Sequence, residues 1–203
     1  MSDQMENIPD PQNEEAAPAK KKSIAIGGRQ LSVGALAAWI GIFALLALLA
    51  FGLLRNQEGP VTVGETVPNF TLTTFGGEQI SLEDLQGKVV VLNFWASWCK
   101  PCEEEAADLE TAWRMYEPRG DVVFLGVDYV DTETEAMEYL EKFDITYPNG
   151  PDLRTKISQA FRIRGVPETY IIGKDGKLAA FKISPFISLA EIQGMIDPLL
   201  ESS

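Results

Sequence analysis

Cys99 and Cys102 are the only cysteines in 203 residues, and Lys100 and Pro101 stand between them. Two thiols three positions apart can close a disulfide and reopen it, so the pair is a candidate two-electron couple. Composition removes most competing chemistries. The chain has no histidine, so one chain cannot complete a Cys/His zinc site, and a cysteine–histidine hydrolytic pair is excluded by the same absence. No metal site is expected. A c-type haem attachment needs a histidine directly after the second cysteine, where Glu103 stands. A peroxidatic cysteine would have a proline and a Thr or Ser at set distances before it; Leu92 and Ala96 occupy those places. An inert structural disulfide remains as the alternative to a redox site.

Position argues for the redox site. Val89 to Phe94 is an unbroken apolar run that reads as a buried strand, and Glu103 to Tyr116 reads as a helix. Cys102, Ala106, Leu109, Trp113 and Tyr116 fall on one helical stripe. The cysteines therefore lie where a strand ends and a helix begins, where unpaired backbone N–H groups stabilise a thiolate. Pro101 lacks an N–H and suits the first helical turn. Lys100 favours the thiolate and Glu103, Glu104 and Glu105 oppose it, so the net sign of the shift stays open. Cys99, nearer the helix end, is expected to be the more exposed sulfur and the nucleophile; Cys102, one turn deeper, would resolve the adduct.

Placed at 100° steps, Glu105 falls inside the apolar stripe, whereas Glu103 projects to the polar side with Glu110. A carboxyl among apolar side chains has a raised pKa and can shuttle a proton. The alternative is a carboxylate at the core edge bending out to solvent. Trp95 and Trp98 read first as packing, with Trp98 also placed to shield Cys99.

Other segments organise the chain around this motif. Residues 1–30 carry a polar stretch rich in Pro, Asn, Gln and Glu, followed by Lys20, Lys21, Lys22 and Arg29, and are expected to be a disordered cytoplasmic tail. Residues 31–54 contain no charge and are long enough, at about 1.5 Å per residue, to span the roughly 30 Å hydrocarbon core. The positive charges before the span orient it with the N-terminus inside and the remainder outside the cytoplasmic membrane. Cleavage after export is the alternative, and it leaves the domain in the same compartment. Residues 55–68 read as a linker, and 69–203 suffice for one domain with a core. A net charge of −13 makes nucleic acid an unsuitable partner.

Within that domain, residues 70–74 and 78–81 read as strands turning at Gly76-Gly77, ahead of the Val89 strand. Residues 122–127 read as a second buried strand, 131–143 as an acidic amphipathic helix, and 153–161 as another helix. Residues 169–172 and 178–183 form a hairpin through Asp175-Gly176, and the capping box Ser188-Leu-Ala-Glu191 opens a final helix. Short strands alternating with helices and closing on a hairpin imply an α/β fold with a mixed sheet covered by helices on both faces.

With Asn93-Phe-Trp-Ala-Ser-Trp-Cys-Lys-Pro-Cys102 after a buried strand and Gly165-Val-Pro-Glu-Thr169 before the hairpin, the chain resembles the thioredoxin superfamily. More narrowly it is similar to the membrane-anchored TlpA/ResA/CcmG group, over residues from about 60 to 200. Phe70-Thr-Leu and Ser81-Leu-Glu-Asp-Leu-Gln-Gly-Lys88 fit that group in order, and residues 128–152 fit its central helix and strand insert. The resemblance implies thiol–disulfide exchange outside the cytoplasmic membrane on exported cysteine-containing proteins such as apocytochrome c. A membrane dithiol donor of the CcdA/DsbD type would recharge it, and no cofactor beyond the cysteine pair is implied. It implies an acid at Glu105, and a cis peptide before Pro167 that faces the cysteines and leaves the Val166 backbone to pair with substrate. Glu168 either shapes that groove or begins an edge strand. Asn93 stands where thioredoxins proper keep a buried aspartate, so proton transfer would fall to another group. A disulfide-forming oxidase or isomerase, and a non-catalytic binding module, are the alternative readings; direction depends on reduction potential, not on the motif.

Overall fold

The computed structural model describes residues 33–55 and 61–201, in two units that divide between Asn56 and Gln57. The tail expected over residues 1–30 lies outside the described residues, as do 56–60 of the expected linker.

The first unit contributes helix α1, Val33–Arg55, of 23 residues. Its described side chains, among them Trp39, Ile40, Phe43, Leu46, Leu49 and Phe51, are exposed. Among the described residues no helix is long and apolar enough to cross a membrane.

The second unit is built on a five-stranded sheet in the order β5-β4-β3-β6-β7. Its strands are β3 (Val89–Trp95), β4 (Val122–Asp128), β5 (Asn149–Pro151), β6 (Glu168–Ile172) and β7 (Leu178–Lys182). β3, β4 and β5 run parallel, while β6 and β7 are antiparallel to their neighbours. β1 (Thr71–Thr73) and β2 (Gln79–Ser81) form a separate two-stranded hairpin. Helices α2 (Lys100–Tyr116), α3 (Glu133–Lys142), α4 (Lys156–Phe161) and α5 (Leu189–Glu201) complete the unit.

Every residue of β3 is buried, because successive side chains point to opposite faces and both faces are covered. Val89 and Val91 join Leu109, Ala112 and Tyr116 of α2 and Ile192 and Ile196 of α5. Val90, Leu92 and Phe94 join Leu72 of the hairpin, Phe161 of α4, and Tyr170 and Ile172 of β6. Each such side chain contributes roughly 1.5–3 kcal/mol on burial, so this strand is the most firmly held point from which a catalytic loop could hang. Thr62 to Val67, read from sequence as part of a linker, lie against β7: Gly64 N–H and Leu178 N–H exchange hydrogen bonds with Leu178 O and Glu65 O, and Thr66 bridges Lys177.

The insert closes tightly on β4. At Gly126 an added Cβ would stand 1.6 Å from Asn149 Oδ1. Asn149 occupies that space so that its Oδ1 can accept the Trp95 indole N–H at 2.8 Å. Glycine is therefore required at 126 for close approach.

Candidate active site

Cys99 is the N-cap of α2 and sits in extended backbone at φ −86, ψ 100, with Pro101 in the first turn. Its sulfur accepts the Cys102 N–H at 3.2 Å, a donor shared with the Cys99 carbonyl at 3.1 Å, which places the sulfur at the positive end of the helix, where a thiolate is stabilised. Cys99 and Cys102 form a disulfide, with S–S 2.02 Å and Cα–Cα 5.3 Å.

The expected difference in exposure is absent. Cys99 is 3% exposed and Cys102 1%. In the oxidised state both sulfurs are packed among Trp95, Ala96, Ala106, Ala136 and Tyr139, with Val166 against them. Trp98 does stand beside the site, mostly exposed, and its indole N–H donates to Val130 O at 3.1 Å. Tyr139 of α3, which sequence reasoning did not single out, stacks on Trp95 at 4.5 Å and donates its hydroxyl to Cys102 O at 2.9 Å. Its signal was the buried face of the acidic helix, which periodicity identifies without saying what that face covers.

Lys100 is exposed and pairs with Glu103 at 2.6 Å; Glu103 also meets Lys142 at 3.2 Å. The lysine charge beside Cys99 is thus largely answered by Glu103. Glu105 lies in the core, 1% exposed. Its Oε1 accepts Asn93 Nδ2 at 2.9 Å and its Oε2 accepts the Phe186 amide at 2.8 Å. Burial pushes its pKa up to about 7, against the opposing pull of those two hydrogen bonds. Asn93 Nδ2 also reaches Thr169 Oγ1 at 2.9 Å. The amide in place of an aspartate therefore orients Glu105. One expectation on this helix is overturned. Glu110 is buried, not on a polar face, because the insert covers it: it accepts Thr146 N–H and Oγ1–H and pairs with Arg114.

The Val166–Pro167 peptide is cis. Among the described residues nothing in the protein hydrogen-bonds to the Val166 backbone. A groove of about 360 Å³ runs between Pro101, the 164–168 segment and Ile183 to Pro185. Glu168 opens β6 and is 2% exposed. Its Oε1 accepts Arg164 N–H at 2.7 Å and its Oε2 accepts the Tyr170 hydroxyl at 2.8 Å. Its carboxylate thus holds the segment before the cis bond in shape and is not directed outward. Among the described residues no group of acidic or cysteine side chains could hold a metal.

The site combines a closed disulfide at a helix N-terminus, a buried carboxyl that titrates near neutrality one turn along, and an open groove beside both. Such a set can accept a thiolate, form a mixed disulfide and move one proton. Comparison with known proteins agrees with that chemistry. The model of the AhpC/TSA family matches residues 63–181. The thiol-disulfide oxidoreductase ResA of Bacillus cereus is 36% identical over 127 residues, which is 63% of this chain and 72% of the relative. A putative protein disulfide isomerase from Bacteroides thetaiotaomicron superposes with TM-score 0.65 at 29% identity, covering 70% of this chain and 92% of that one. A secreted Mycobacterium tuberculosis disulfide oxidoreductase homologous to Escherichia coli DsbE gives TM-score 0.58 at 26% identity, covering 64% and 96%.

Proposed function

This chain belongs to the AhpC/TSA family and is a thiol–disulfide oxidoreductase of the ResA/DsbE type with a thioredoxin-like fold, and from that premise we propose that it reduces cysteines of exported proteins, such as apocytochrome c. The observation that carries the reading is the Cys99–Cys102 disulfide at the α2 N-terminus, beside the groove at cis Pro167. In the reduced enzyme Cys99 thiolate attacks one sulfur of a substrate disulfide and releases the other as thiolate. Cys102 then gives its proton to Glu105 and attacks the Cys99 sulfur. The substrate leaves as a dithiol, two electrons have passed to it, and the enzyme is left in the disulfide state seen here. Val166 would pair with the extended substrate, and Trp98 would border its path.

The domain would stand outside the cytoplasmic membrane on an anchor. Support comes from the uncharged 31–54 segment with lysines before it and from the exposed apolar side chains of α1. A membrane dithiol donor of the CcdA/DsbD type would then return the pair to the dithiol, and the scheme requires no other cofactor. The test is Cys102→Ala in intact cells: unresolved mixed disulfides on Cys99 should carry Cys-x-x-Cys-His apocytochromes. Recovery of disulfide-folding factors alone overturns the reductase assignment.

A second reading, a disulfide-forming or isomerising enzyme, is supported by the Bacteroides relative's description as a putative disulfide isomerase. The reduction potential of the pair discriminates, since a reductase must lie below its substrates and an oxidase above them.

A further inference from the structure

The loop after β4 is fastened to the loop that carries the cysteines at three places. Tyr129 N–H donates to Trp95 O at 2.8 Å, Trp98 Nε1–H to Val130 O at 3.1 Å, and Ser97 N–H to Asp131 Oδ2 at 2.6 Å. Val130 has φ 52. A β-branched residue adopts that left-handed conformation at a cost and keeps it only where its surroundings over-determine it.

Behind this clasp stands a carboxyl that the exchange scheme does not use. Asp128 ends β4 with 2% exposure, and its Oδ1 has no hydrogen-bond partner among the described residues. The charged groups facing it are Asp131, from the loop to α3, and Asp152, from the turn after β5. The neighbouring strands set uncharged Trp95 and Pro151 opposite it. Asp152 is fully engaged, accepting Ile157 N–H, Ser158 N–H and the Ser158 hydroxyl. Asp131 is also engaged, accepting Thr132 N–H on Oδ1 and Ser97 N–H on Oδ2. Among the described residues Asp128 has no such donors on Oδ1, and Asp131 is the acidic neighbour that bears on it most. Two carboxylates in contact inside a protein do not both ionise readily. A neutral Asp128 also accounts for Oδ1, because an unpartnered carbonyl oxygen is far less costly to bury than an unpartnered charge.

We propose that Asp128 and Asp131 form a positioning pair for the exchange reaction: a buried, uncharged Asp128 lets Asp131 hold the Ser97 amide, and so fixes the loop that presents Cys99. The inference rests on Cys99 being the attacking sulfur. Burial and the two acidic neighbours push Asp128 up to about 7. Once the proton leaves, the two like charges separate, the Ser97 bond lengthens, and the Cys99 loop loosens. Asp128 touches no reacting atom and acts through Asp131 and Ser97.

The test uses the full ¹⁵N-labelled chain in detergent micelles, following the Ser97 amide signal from pH 5.5 to 8.5. In the wild type this signal should move through one inflection near pH 7. Asp128→Asn keeps the side chain's shape and supplies a permanent N–H toward Asp131, so the signal should hold its acid-limb position throughout. Asp131→Asn should displace the signal at every pH. In a Cys102→Ala background, where resolution through Cys102 is removed, the pH profile of mixed-disulfide formation by Cys99 should lose the same inflection in Asp128→Asn. A Ser97 signal that does not titrate in the wild type, or that titrates equally in Asp128→Asn, overturns the pair while leaving exchange through Cys99 standing. Exchange that survives Cys99→Ser instead overturns the oxidoreductase scheme through Cys99, with the Ser97 titration unaffected.

Discussion

At the scale of single residues, the site turns on one carboxyl. Glu105 is within a turn of Cys102 on α2, and its buried environment sets its pKa at about 7, where a carboxyl can both take and return a proton under ordinary conditions. Resolution by Cys102 needs Glu105 ionised, so the exchange rate of the wild type should climb as pH rises from 6 to 8. Glu105→Gln should remove that carboxyl-governed limb and slow exchange at pH 8 by roughly 10²-fold, a typical worth for general acid–base help. Stopped-flow measurement of mixed-disulfide resolution at each pH reads this directly, and an unchanged profile rejects the proton-transfer role. The environment rather than the residue type carries the prediction. Glu103, two residues earlier on the same helix, sits among Lys100 and Lys142 and has its pKa lowered by them.

At the scale of elements, β3 and β4 hold the reactive loop and the central insert holds them in register. The contact of Asn149 with Trp95 passes through space that only a glycine at 126 leaves open. Gly126→Ala should therefore cost about 1–3 kcal/mol, the usual penalty for overpacking a well-filled core. It should also break the Trp95 indole bond; a lowered urea midpoint with a red-shifted tryptophan emission would check both. An unchanged midpoint would mean that the insert can move aside and does not constrain the site. The strands and helices themselves were largely readable from sequence: the apolar runs at 89–94 and 122–127, the hairpin at Asp175-Gly176 and the stripe through Cys102 to Tyr116 all signal local periodicity. Glu110 shows where that legibility stops. Helical phase assigned it to the polar side, and Thr146, 36 residues away in the chain, made that side an interior.

At the scale of the whole molecule, two acids with raised pKa values make stability depend on pH in a direction opposite to the usual acid denaturation. Glu105 and Asp128 are raised from 4.5 and 3.8 to about 7 by burial. Between those limits the folded protein retains protons that the unfolded chain has released, so their contribution is whole below about pH 4 and is lost as pH rises to about 7. A net charge of −13 adds self-repulsion in the same direction. The urea midpoint of the wild type should fall from pH 5 to pH 8, and Glu105→Gln should flatten that fall. A midpoint that rises over the same interval would show that the lowered acids, such as Glu103 and Asp121 beside their cations, dominate instead.

What the chain's sequence determined alone was chemistry and address: two thiols and no histidine leave disulfide exchange, and a strand-to-helix junction places them where a thiolate is stabilised. These follow from residue type and near-neighbour spacing, which act over a turn or two of backbone. Which carboxyls are buried, which oxygen meets which amide, and how little of either sulfur is exposed were decided only when segments far apart in sequence closed on one another. Phe186 reaches Glu105, Thr146 reaches Glu110 and Asp131 reaches Ser97 across 81, 36 and 34 positions. Burial and hydrogen bonding are properties of that packing, and pKa values follow from them rather than from the order of residues along the chain.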